Sequence, residues 1–379
     1  MAEKQIFIIC GEASGDLNAA NLVNAVKTIA PETGFSCVGG EMLRQSGAKV
    51  ICDIKELSVI GLFDVFSKLP RFFALKKRIL QELKQSKFDA VIFVDFSGFN
   101  LRLAREINKT IPAIYYISPQ VWASRPGRIK TIKKYIDKML VLFRFEKDFY
   151  AKFGIQAEFT GHPLLDIVKP TMDKAGVLSN LGFSGGKKTF ALLPGSRCAE
   201  VEKILPVMLN ACRLMENKLG SIQIVIAKST QVDWAVYKRI TDRFNLNIKI
   251  IEGKTYDCIN IADFCLVASG TATLEAAIMQ KPFAVVYKMG WLNYLLYRPQ
   301  VKVKFISLVN ILSGRLIVPE FVQFNADPKK ISSLAINLLK NPAELDKIRQ
   351  NLVKLNEMLG EKGASQRAAR IITDFLRDK

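Results

Sequence analysis

The stretch that decides the fold is Leu192-Leu-Pro-Gly-Ser-Arg-Cys-Ala-Glu-Val-Glu202. An apolar run that begins at Phe190 stops at Pro194-Gly195, and a helical pattern follows, so the stretch predicts a strand, a tight turn and a helix. There Gly195 and Ser196 offer backbone N–H groups at a helix N-terminus, and Arg197 adds a charge that can bind phosphate oxygens. This favours diphosphate binding, although Pro-Gly-Ser is also a common loop and Arg197 an ordinary surface residue.

Composition limits the number of domains and the class of partner. A chain of 379 residues predicts two domains of about 150 to 200 residues each. Its 55 basic and 35 acidic residues leave a net charge of +20, which favours an anionic partner such as nucleic acid, an anionic lipid surface or a phosphorylated substrate. The 7 cysteines contain no C-x-x-C pair, so we expect neither a disulfide framework nor a zinc site, and a reducing cytosol.

A segment near residues 57–83 combines crowded apolar residues with clustered Lys and Arg. The N-terminus lacks the features of a signal peptide, and no apolar run reaches the length of about 18 residues that spans a bilayer. The pattern predicts an interfacial helix, with Pro70 starting the second of two helices. A core helix with a solvated basic face fits the same pattern. The expected membrane contacts are Phe66, Leu69, Phe72, Phe73, Lys76, Lys77 and Arg78.

The chain begins with another strand, Gly-rich loop and helix. An apolar strand at residues 5–10 leads into Gly11-Glu-Ala-Ser-Gly-Asp16, and a helix is predicted from about Leu17 to Ile29. The spacing is G-x-x-x-G and not the G-x-G-x-x-G of dinucleotide sites. The loop can still approach a sugar or phosphate closely, because Gly11 and Gly15 carry no Cβ.

Asp95 ends an apolar strand that begins at Ala90. Open α/β sheets place their ligands at the carboxyl ends of strands, so Asp95 is a candidate general base for an acceptor hydroxyl. Capping of the next helix or pairing with an Arg is the alternative. His162, the only histidine, precedes Pro163 in a turn, where it either orients a ligand or bonds the backbone of a linker.

The composition changes over residues 169–188, which we interpret as an interdomain link. After it, strands and helices alternate again, which predicts two doubly wound α/β domains facing each other across a cleft. The second domain contains Ala268-Ser-Gly-Thr-Ala-Thr-Leu-Glu275, where Ser269, Gly270 and Thr271 can hold phosphate and Glu275 can bind ribose hydroxyls. An N-cap with Glu in the first turn is the structural alternative. No Asp has another Asp two positions on, so we expect charge and helix termini to replace a metal.

In these motifs the chain resembles the lipid-A-disaccharide synthases, inverting glycosyltransferases with a GT-B fold. The matching segments run in order along almost the whole chain: 11–16, Val38-Gly-Gly40, Val94-Asp-Phe-Ser-Gly-Phe-Asn100, Ser118-Pro-Gln-Val-Trp-Ala123, Gly161-His-Pro163, 193–197 with Glu200, 268–275, Asn310 and Val318-Pro-Glu320.

The resemblance implies that UDP-2,3-diacylglucosamine donates its sugar to 2,3-diacylglucosamine 1-phosphate, giving a β-1,6 disaccharide and UDP without a cofactor. It points to Asp95 as the base and Arg197 as the second catalytic residue. The expected donor site contains Gly195, Ser196, Arg197, Glu200, Ser269, Gly270, Thr271, Glu275 and Asn310. The expected acceptor side contains Glu12, Ser14, Asp16 and Asn100.

The resemblance also implies an N-terminal domain over 1–168 that faces acceptor and membrane, a UDP-sugar domain over 169–362, and a final helix within 363–379 that returns to the first domain. It places the enzyme in the cytoplasm, peripheral on the inner face of the inner membrane, with a homodimer left open. Two departures are Ser124, where the family often has an aromatic residue, and Gly98, where some members carry a second acid.

Two other functions fit part of the sequence. A UDP-N-acetylglucosamine 2-epimerase would share the nucleotide site but has little use for a basic amphipathic helix. A non-enzymatic membrane- or nucleic-acid-binding module would explain the charge but not the polar strand ends. The aromatic residues cluster with aliphatic ones and not as stacking platforms, which argues against nucleic acid.

Overall fold

The computed structural model describes residues 4–54, 65–290 and 304–378, with the backbone alone over 65–72. The chain divides into two compact units. Unit 1 comprises Met1–Leu165 together with Leu359–Lys379, and unit 2 comprises Asp166–Met358. No helix of the described residues combines the length and apolar character that crossing a membrane requires.

Unit 1 is built on a parallel sheet of seven described strands. The strands are β1 Gln5–Ile9, β2 Gly34–Gly39, β3 Lys49–Asp53, β4 Ala90–Val94, β5 Ala113–Tyr116, β6 Lys138–Val141 and β7 Ala157–Phe159. The helices are α1 Ala13–Ile29, α2 Glu41–Gln45, α3 Val65–Gln85, α4 Ser97–Ile107, α5 Ile129–Tyr135, α6 Arg144–Ala151 and α7 Leu164–Ile167, the last of which crosses the boundary between the units.

The strand order in this sheet is β3-β2-β1-β4-β5-β6-β7. The order reverses between β1 and β4, which are hydrogen-bonded neighbours with Ile6 opposite Ala90 and Ile9 opposite Phe93. Connections from β1 and β4 leave on opposite faces of such a sheet, so a crevice opens beyond their carboxyl ends. The loop at Gly11 and the turn at Asp95 both lie at this point.

Unit 2 repeats the arrangement with six described strands in the order β10-β9-β8-β11-β12-β13. These strands are β8 Thr189–Leu193, β9 Gln223–Lys228, β10 Ile248–Glu252, β11 Phe264–Ala268, β12 Phe283–Tyr287 and β13 Glu320–Val322. The helices are α8 Lys174–Leu181, α9 Cys198–Leu219, α10 Trp234–Thr241, α11 Thr255–Ile261, α12 Thr271–Ile278, α13 Leu308–Ser313, α14 Pro328–Lys340 and α15 Pro342–Met358. The reversal falls between β8 and β11, where the two predicted phosphate loops begin.

The final helix, α16 Ala364–Arg377, packs on α1 within unit 1. Its small and aliphatic residues Ala368, Ile372 and Leu376 are buried in the same core as Val23 of α1 and Ile8 of the sheet. The opposite face of the sheet is covered by α3 and α4. The predicted return of the last helix to the first unit is confirmed, as are the two doubly wound sheets.

Three local expectations were wrong. Helix α1 begins at Ala13 and not near Leu17, so Ser14 and Asp16 belong to its first turn. Helix α3 has begun by Val65, and Pro70 lies inside it. Residues 169–188 are not a free link, because they contain α8 and because Thr171 donates to the Asp257 carboxylate from its backbone at 2.6 Å and its hydroxyl at 2.5 Å.

Candidate functional site

Asp95 occupies a strained turn between β4 and α4. Its φ is 47° and that of Phe96 is 41°, so two consecutive residues with side chains adopt the left-handed conformation. The backbone is held on both sides: the Asp95 N–H donates to Tyr116 O at 3.3 Å, and its carbonyl accepts from the Tyr115 hydroxyl at 2.5 Å and from Asn100 Nδ2 at 2.9 Å. The sheet and α4 together fix a conformation that the local sequence disfavours.

The surroundings of the Asp95 carboxyl give it the chemistry of a base near neutral pH. Part of the side chain reaches solvent, yet the protein around the carboxyl raises its pKa from 3.8 to about 6. Desolvation is the larger cause, the charge of Glu12 is the second, and a hydrogen bond from the Phe96 backbone opposes both. A carboxylate with this pKa is ionised at pH 7 and accepts a proton more readily than an ordinary aspartate.

The predicted acceptor residues do not all face solvent. Glu12 and Ser14 are exposed beside the turn at Asp95. Asp16 is buried, and its carboxylate accepts backbone N–H groups from the start of α2, with Gly40 at 2.7 Å and Met42 at 3.0 Å. Asp16 therefore fixes α2.

Asn100 was expected on the acceptor side, but it is fully buried. Besides the bond to Asp95, its Nδ2 donates to Val94 O at 3.3 Å and lies 3.5 Å from Ile9 O. It joins the ends of β1 and β4 and supports Asp95 from behind.

Gly11 serves the internal packing of unit 1. A Cβ at this position would collide with the ring of Phe96, which lies over the end of β1. Because Phe96 follows Asp95, the absence of a side chain at Gly11 is what lets the strained turn settle on the sheet.

Glu146 organises a loop next to this turn, a role that the sequence motifs do not predict. It is buried and accepts from the Ser118 hydroxyl at 2.8 Å, from Trp122 Nε1 at 2.9 Å and from the Phe143 N–H at 3.1 Å. Burial raises the pKa of its carboxyl, and these donors oppose the shift. A Glu one turn into a helix that follows a strand was the signal for this contact.

His162 is buried in unit 1 and bonded to its backbone. The main-chain N–H of His162 donates to Leu359 O at 2.9 Å, and its side-chain Nδ1 accepts from the Leu164 N–H at 3.2 Å. Burial lowers the pKa of the imidazole to about 4, so the ring is neutral at physiological pH. The backbone contact, one of the two roles predicted for this histidine, is present, and its role toward a ligand stays a prediction.

In unit 2 the loop from Pro194 to Arg197 leads into α9, as the sequence predicted. Glu200 lies over Gly195 and accepts from the Ser196 N–H at 3.3 Å and from Arg197 Nη1 at 3.1 Å. Arg197 remains 62% exposed at its side chain and Ser196 is exposed. An exposed ion pair of this kind contributes little free energy, so the guanidinium can exchange Glu200 for an anionic ligand.

The second loop follows β11, the neighbour of β8. Gly270 has a φ of 149°, and a Cβ there would meet nothing within 4 Å, so the backbone is open to a ligand at the N-terminus of α12. The Ser269 hydroxyl donates to Ile306 O at 3.0 Å, while Thr271 is exposed. Glu275 is half-buried, and desolvation raises the pKa of its carboxyl to about 7 against an opposing hydrogen bond from Tyr256.

Asn310, expected in the donor site, is fully buried and uses its whole amide internally. Its Nδ2 donates to Val318 O and to Glu320 Oε1, both at 2.8 Å, and its Oδ1 accepts from the N–H groups of Ile317 at 2.8 Å and Val318 at 3.0 Å. Glu320 in turn accepts from the Ser307 hydroxyl at 2.7 Å. This network supports the backbone that Ser269 contacts, so Asn310 acts through its neighbours.

The described half of α3 has two different faces. Leu75, Ile79 and Leu83 are buried against the sheet, as the core-helix alternative predicted. Phe73 is 52% exposed, with the Lys76 ammonium 5.7 Å from its ring centroid. Lys77 and Arg78 are exposed, and the side chains of Phe66, Leu69 and Phe72 lie outside the described residues.

A search of residues 4–54, 65–290 and 304–378 finds no cluster of three His, Cys, Asp or Glu side chains suited to a metal ion. Charge in the two sites comes from Asp95 and Glu12 in unit 1 and from Arg197, Glu200 and Glu275 in unit 2.

Comparison with known proteins assigns these motifs to one family. A family model described as lipid-A-disaccharide synthetase matches residues 6–375. The lipid-A-disaccharide synthase of Syntrophus aciditrophicus is 39% identical over 371 residues, covering 97% of this chain and 97% of its own. That of Myxococcus xanthus is 36% identical and covers 98% of this chain and 97% of its own.

Solved structures share the fold at low identity. The UDP-GlcNAc 2-epimerase of Neisseria meningitidis, bound to UDP-GlcNAc, aligns with a TM-score of 0.65 at 12% identity over 99% of this chain and 100% of that one. MurG of Acinetobacter baumannii aligns with a TM-score of 0.57 at 14% identity over 98% of this chain and 99% of that one. These structural similarities show the fold, whereas the sequence relatives show the family.

Proposed function

The chain belongs to the lipid-A-disaccharide synthase family, and we propose that its two loop clusters divide the reaction between them. The enzyme is a glycosyltransferase of lipid A biosynthesis. Its substrates are UDP-2,3-diacylglucosamine and 2,3-diacylglucosamine 1-phosphate, and its products are a β-1,6 disaccharide and UDP. Unit 1 supplies the base for the acceptor, and unit 2 supplies the site for the donor.

Asp95 carries the proposal for unit 1. As the acceptor 6-hydroxyl oxygen bonds to the anomeric carbon of the donor, its proton passes to the Asp95 carboxylate. The bond from that carbon to the UDP oxygen breaks in the same displacement, and the configuration inverts. The raised pKa of Asp95 suits a base that works near neutral pH. The strained turn holds the carboxylate ready, and a fixed base avoids the entropy of positioning it during the reaction.

In unit 2 the departing UDP is the group to be stabilised. Gly195, Ser196 and Arg197 precede α9, and Ser269, Gly270 and Thr271 precede α12, so two helix N-termini and one guanidinium surround the proposed diphosphate position. Glu200 holds the first loop through Ser196 and Arg197. Glu275 accepts the ribose hydroxyls. The proposal includes no metal ion or cofactor.

The membrane part of the proposal rests on α3 and the substrates. Both sugars carry acyl chains, so the enzyme must reach them at a bilayer. Phe73 is an exposed aromatic residue among basic side chains, and such a face binds anionic lipid surfaces. We place the enzyme on the cytoplasmic face of the inner membrane, bound peripherally. The sequence relatives and the proposed base Asp95 support a glycosyltransferase over an epimerase or a non-enzymatic module.

Turnover of the purified protein tests the function. The protein is incubated with both acyl sugars in detergent micelles containing EDTA, and UDP and disaccharide are measured separately. We expect both products in equal amounts. UDP release without disaccharide would indicate hydrolysis, conversion of the donor without UDP release would indicate epimerisation, and strict dependence on Mg²⁺ would refute the proposed stabilisation of UDP.

A further inference from the structure

A cavity of about 370 Å³ opens in unit 1 beside the start of α4. Phe96, the residue after Asp95, forms part of its wall, together with Ser97 and Gly98 at the first turn of α4. The cavity therefore adjoins the proposed base. Nothing in the assignment of Asp95 uses it.

Four arginines line this cavity, which we call the arginine pocket: Arg102, Arg105, Arg125 and Arg128. No carboxylate is among its lining residues. The four guanidiniums form no ion pair with any acidic side chain in the described parts of the chain. Four positive charges without a counter-charge repel one another, and a bound anion would relieve that repulsion.

Hydrogen bonds orient two of the four guanidiniums, while Arg102, Arg105 and Arg125 are exposed and Arg128 is half-buried. Arg128 Nη1 donates to the Ser97 hydroxyl at 2.7 Å, and Arg105 Nη2 donates to the Thr131 hydroxyl at 2.6 Å. Both partners are neutral, so they orient the guanidiniums without cancelling their charge. Burial lowers the pKa of Arg128, with the charges of Arg125 and Arg102 acting in the same direction. These charges therefore lie close enough to act on one ligand.

The shape and charge suit a phosphomonoester. Guanidinium groups present paired N–H donors that match phosphate oxygens, and the positive end of the α4 dipole adds to the field at Ser97 and Gly98. Gly98, in the first turn of α4, leaves room beside this guanidinium, since even a Cβ there would lie 3.8 Å from Arg128 Nη2.

We infer that the arginine pocket binds the 1-phosphate of the acceptor sugar and thereby directs its 6-hydroxyl to Asp95. The inference rests on the proposed function. It makes the phosphate a determinant of acceptor specificity: one sugar ring bridges the pocket and the base. A phospholipid headgroup offers the same phosphate chemistry, so the experiment must separate the two sources.

The test compares acceptors with and without the 1-phosphate. Arg128→Gln removes one guanidinium of the pocket, and Arg128→Lys keeps the positive charge without the paired N–H donors. Arg128→Gln is expected to raise KM for the phosphorylated acceptor about 10- to 100-fold, the usual effect of losing one charged hydrogen bond. KM for the dephosphorylated acceptor and for the UDP donor should stay unchanged, and Arg128→Lys should retain part of the preference for the phosphorylated acceptor. Arg370→Gln, on the exposed face of α16, controls for loss of a positive charge elsewhere.

The outcomes distinguish this inference from the proposed function. Wild-type turnover with no preference between the two acceptors, or variants that slow both equally, would overturn the inference and leave the function standing. If the wild type releases no UDP, the function fails, and the pocket is still tested by binding of the phosphorylated acceptor in micelles without donor. If the pocket variants lost binding to vesicles of anionic phospholipid while their KM for the acceptor stayed unchanged, the pocket would be assigned to a phospholipid headgroup. That result would also overturn the inference.

Discussion

The side-chain amide of Asn100 donates a hydrogen bond of 2.9 Å to the backbone carbonyl of Asp95, whose φ of 47° lies in the left-handed region. The Tyr115 hydroxyl donates to the same oxygen. A buried amide on α4 and a buried phenol on β5 thus converge on one carbonyl. They hold a backbone conformation that costs about 1 to 3 kcal/mol when it is unsupported. The proposed base is positioned through its main chain.

Asn100→Ala should therefore reduce kcat, although we expect no contact between Asn100 and either substrate. Removing the amide frees the carbonyl of Asp95, and misplacement of a catalytic group by about 1 Å can slow a reaction about 100-fold. We expect kcat to fall about 10- to 100-fold with KM for the UDP donor unchanged. Steady-state kinetics at saturating acceptor measure this. Tyr115→Phe leaves the Asn100 hydrogen bond in place and should have a smaller effect on kcat. If Asn100 had a purely structural role, Asn100→Ala would lower the melting temperature without changing kcat separately from KM.

Asp95→Asn should remove general base catalysis and leave the donor site intact. Such catalysis contributes about 100- to 10,000-fold, so kcat should fall within that range while UDP still binds in calorimetry. The folded protein binds the Asp95 proton more tightly than the unfolded chain, because the folded pKa of about 6 exceeds the ordinary 3.8. The ionised carboxylate thus destabilises the fold above that range, and Asp95→Asn should raise the melting temperature at pH 8. An active variant would refute the assigned role.

The pH dependence should separate the two carboxylates. At saturating donor, kcat/KM for the acceptor should rise with pH up to about 6 and then level off as Asp95 ionises. KM for the donor should instead increase as pH falls through about 7, because protonated Glu275 accepts ribose hydroxyls poorly. Glu275→Gln should remove the second dependence and keep the first. Initial rates in buffers of constant ionic strength give both curves, and a flat acceptor profile between pH 5 and 7 would contradict the assignment of Asp95.

Arg197→Ala should lower kcat about 100- to 1,000-fold, the effect of losing one group that stabilises charge in the transition state. Arg197→Lys should restore only part of it, since an ammonium cannot bind two phosphate oxygens as a guanidinium does. Neither change should lower the melting temperature, because the pair with Glu200 is exposed. Product inhibition by UDP measures the site directly. Equal inhibition of the wild type and Arg197→Ala would place the diphosphate elsewhere.

Phe73→Ser should weaken binding to vesicles that contain anionic phospholipid. The exposed ring is expected to enter the interface beside Lys77, and an apolar side chain contributes about 1.5 to 3 kcal/mol when it is fully buried. Phe324→Ser in unit 2 is the matched control, because Phe324 is 78% exposed and lies on a different unit. Sedimentation with sucrose-loaded vesicles measures both variants. Equal sedimentation of the two would remove Phe73 from the membrane face.

Short-range patterns predicted the fold well for a physical reason. Apolar runs that stop at polar or glycine residues mark buried parallel strands, and the order of such elements leaves few topologies open. Asp95, the loop at Gly195 and the loop at Gly270 all follow strands where the sheet order reverses. The resemblance supplied what local patterns could not, the return of α16 to unit 1.

The burial and hydrogen-bond partners of individual polar side chains were harder to predict from the sequence. Asp16, Asn100 and Asn310 stand in the recognised motifs, yet each is buried and bonded to backbone groups outside its own helix. Their partners are set by tertiary packing, so no local pattern distinguishes them from ligand-binding residues. The strain at Asp95 was hidden for the same reason, because it depends on Tyr115 from the neighbouring strand. A motif thus contains both the groups that act and the groups that hold them.

The packing of α16 on α1 has a consequence for how the chain is made. The core shared by Ile8 and Val23 is incomplete until Ala368 and Ile372 have left the ribosome, whereas unit 2 has all its residues by Met358. Unit 2 can therefore fold during translation, while the nascent unit 1 keeps an apolar face uncovered through the synthesis of nearly two hundred residues. A chaperone that shields α1 over that interval would therefore bind the nascent chain before the folded enzyme binds either substrate.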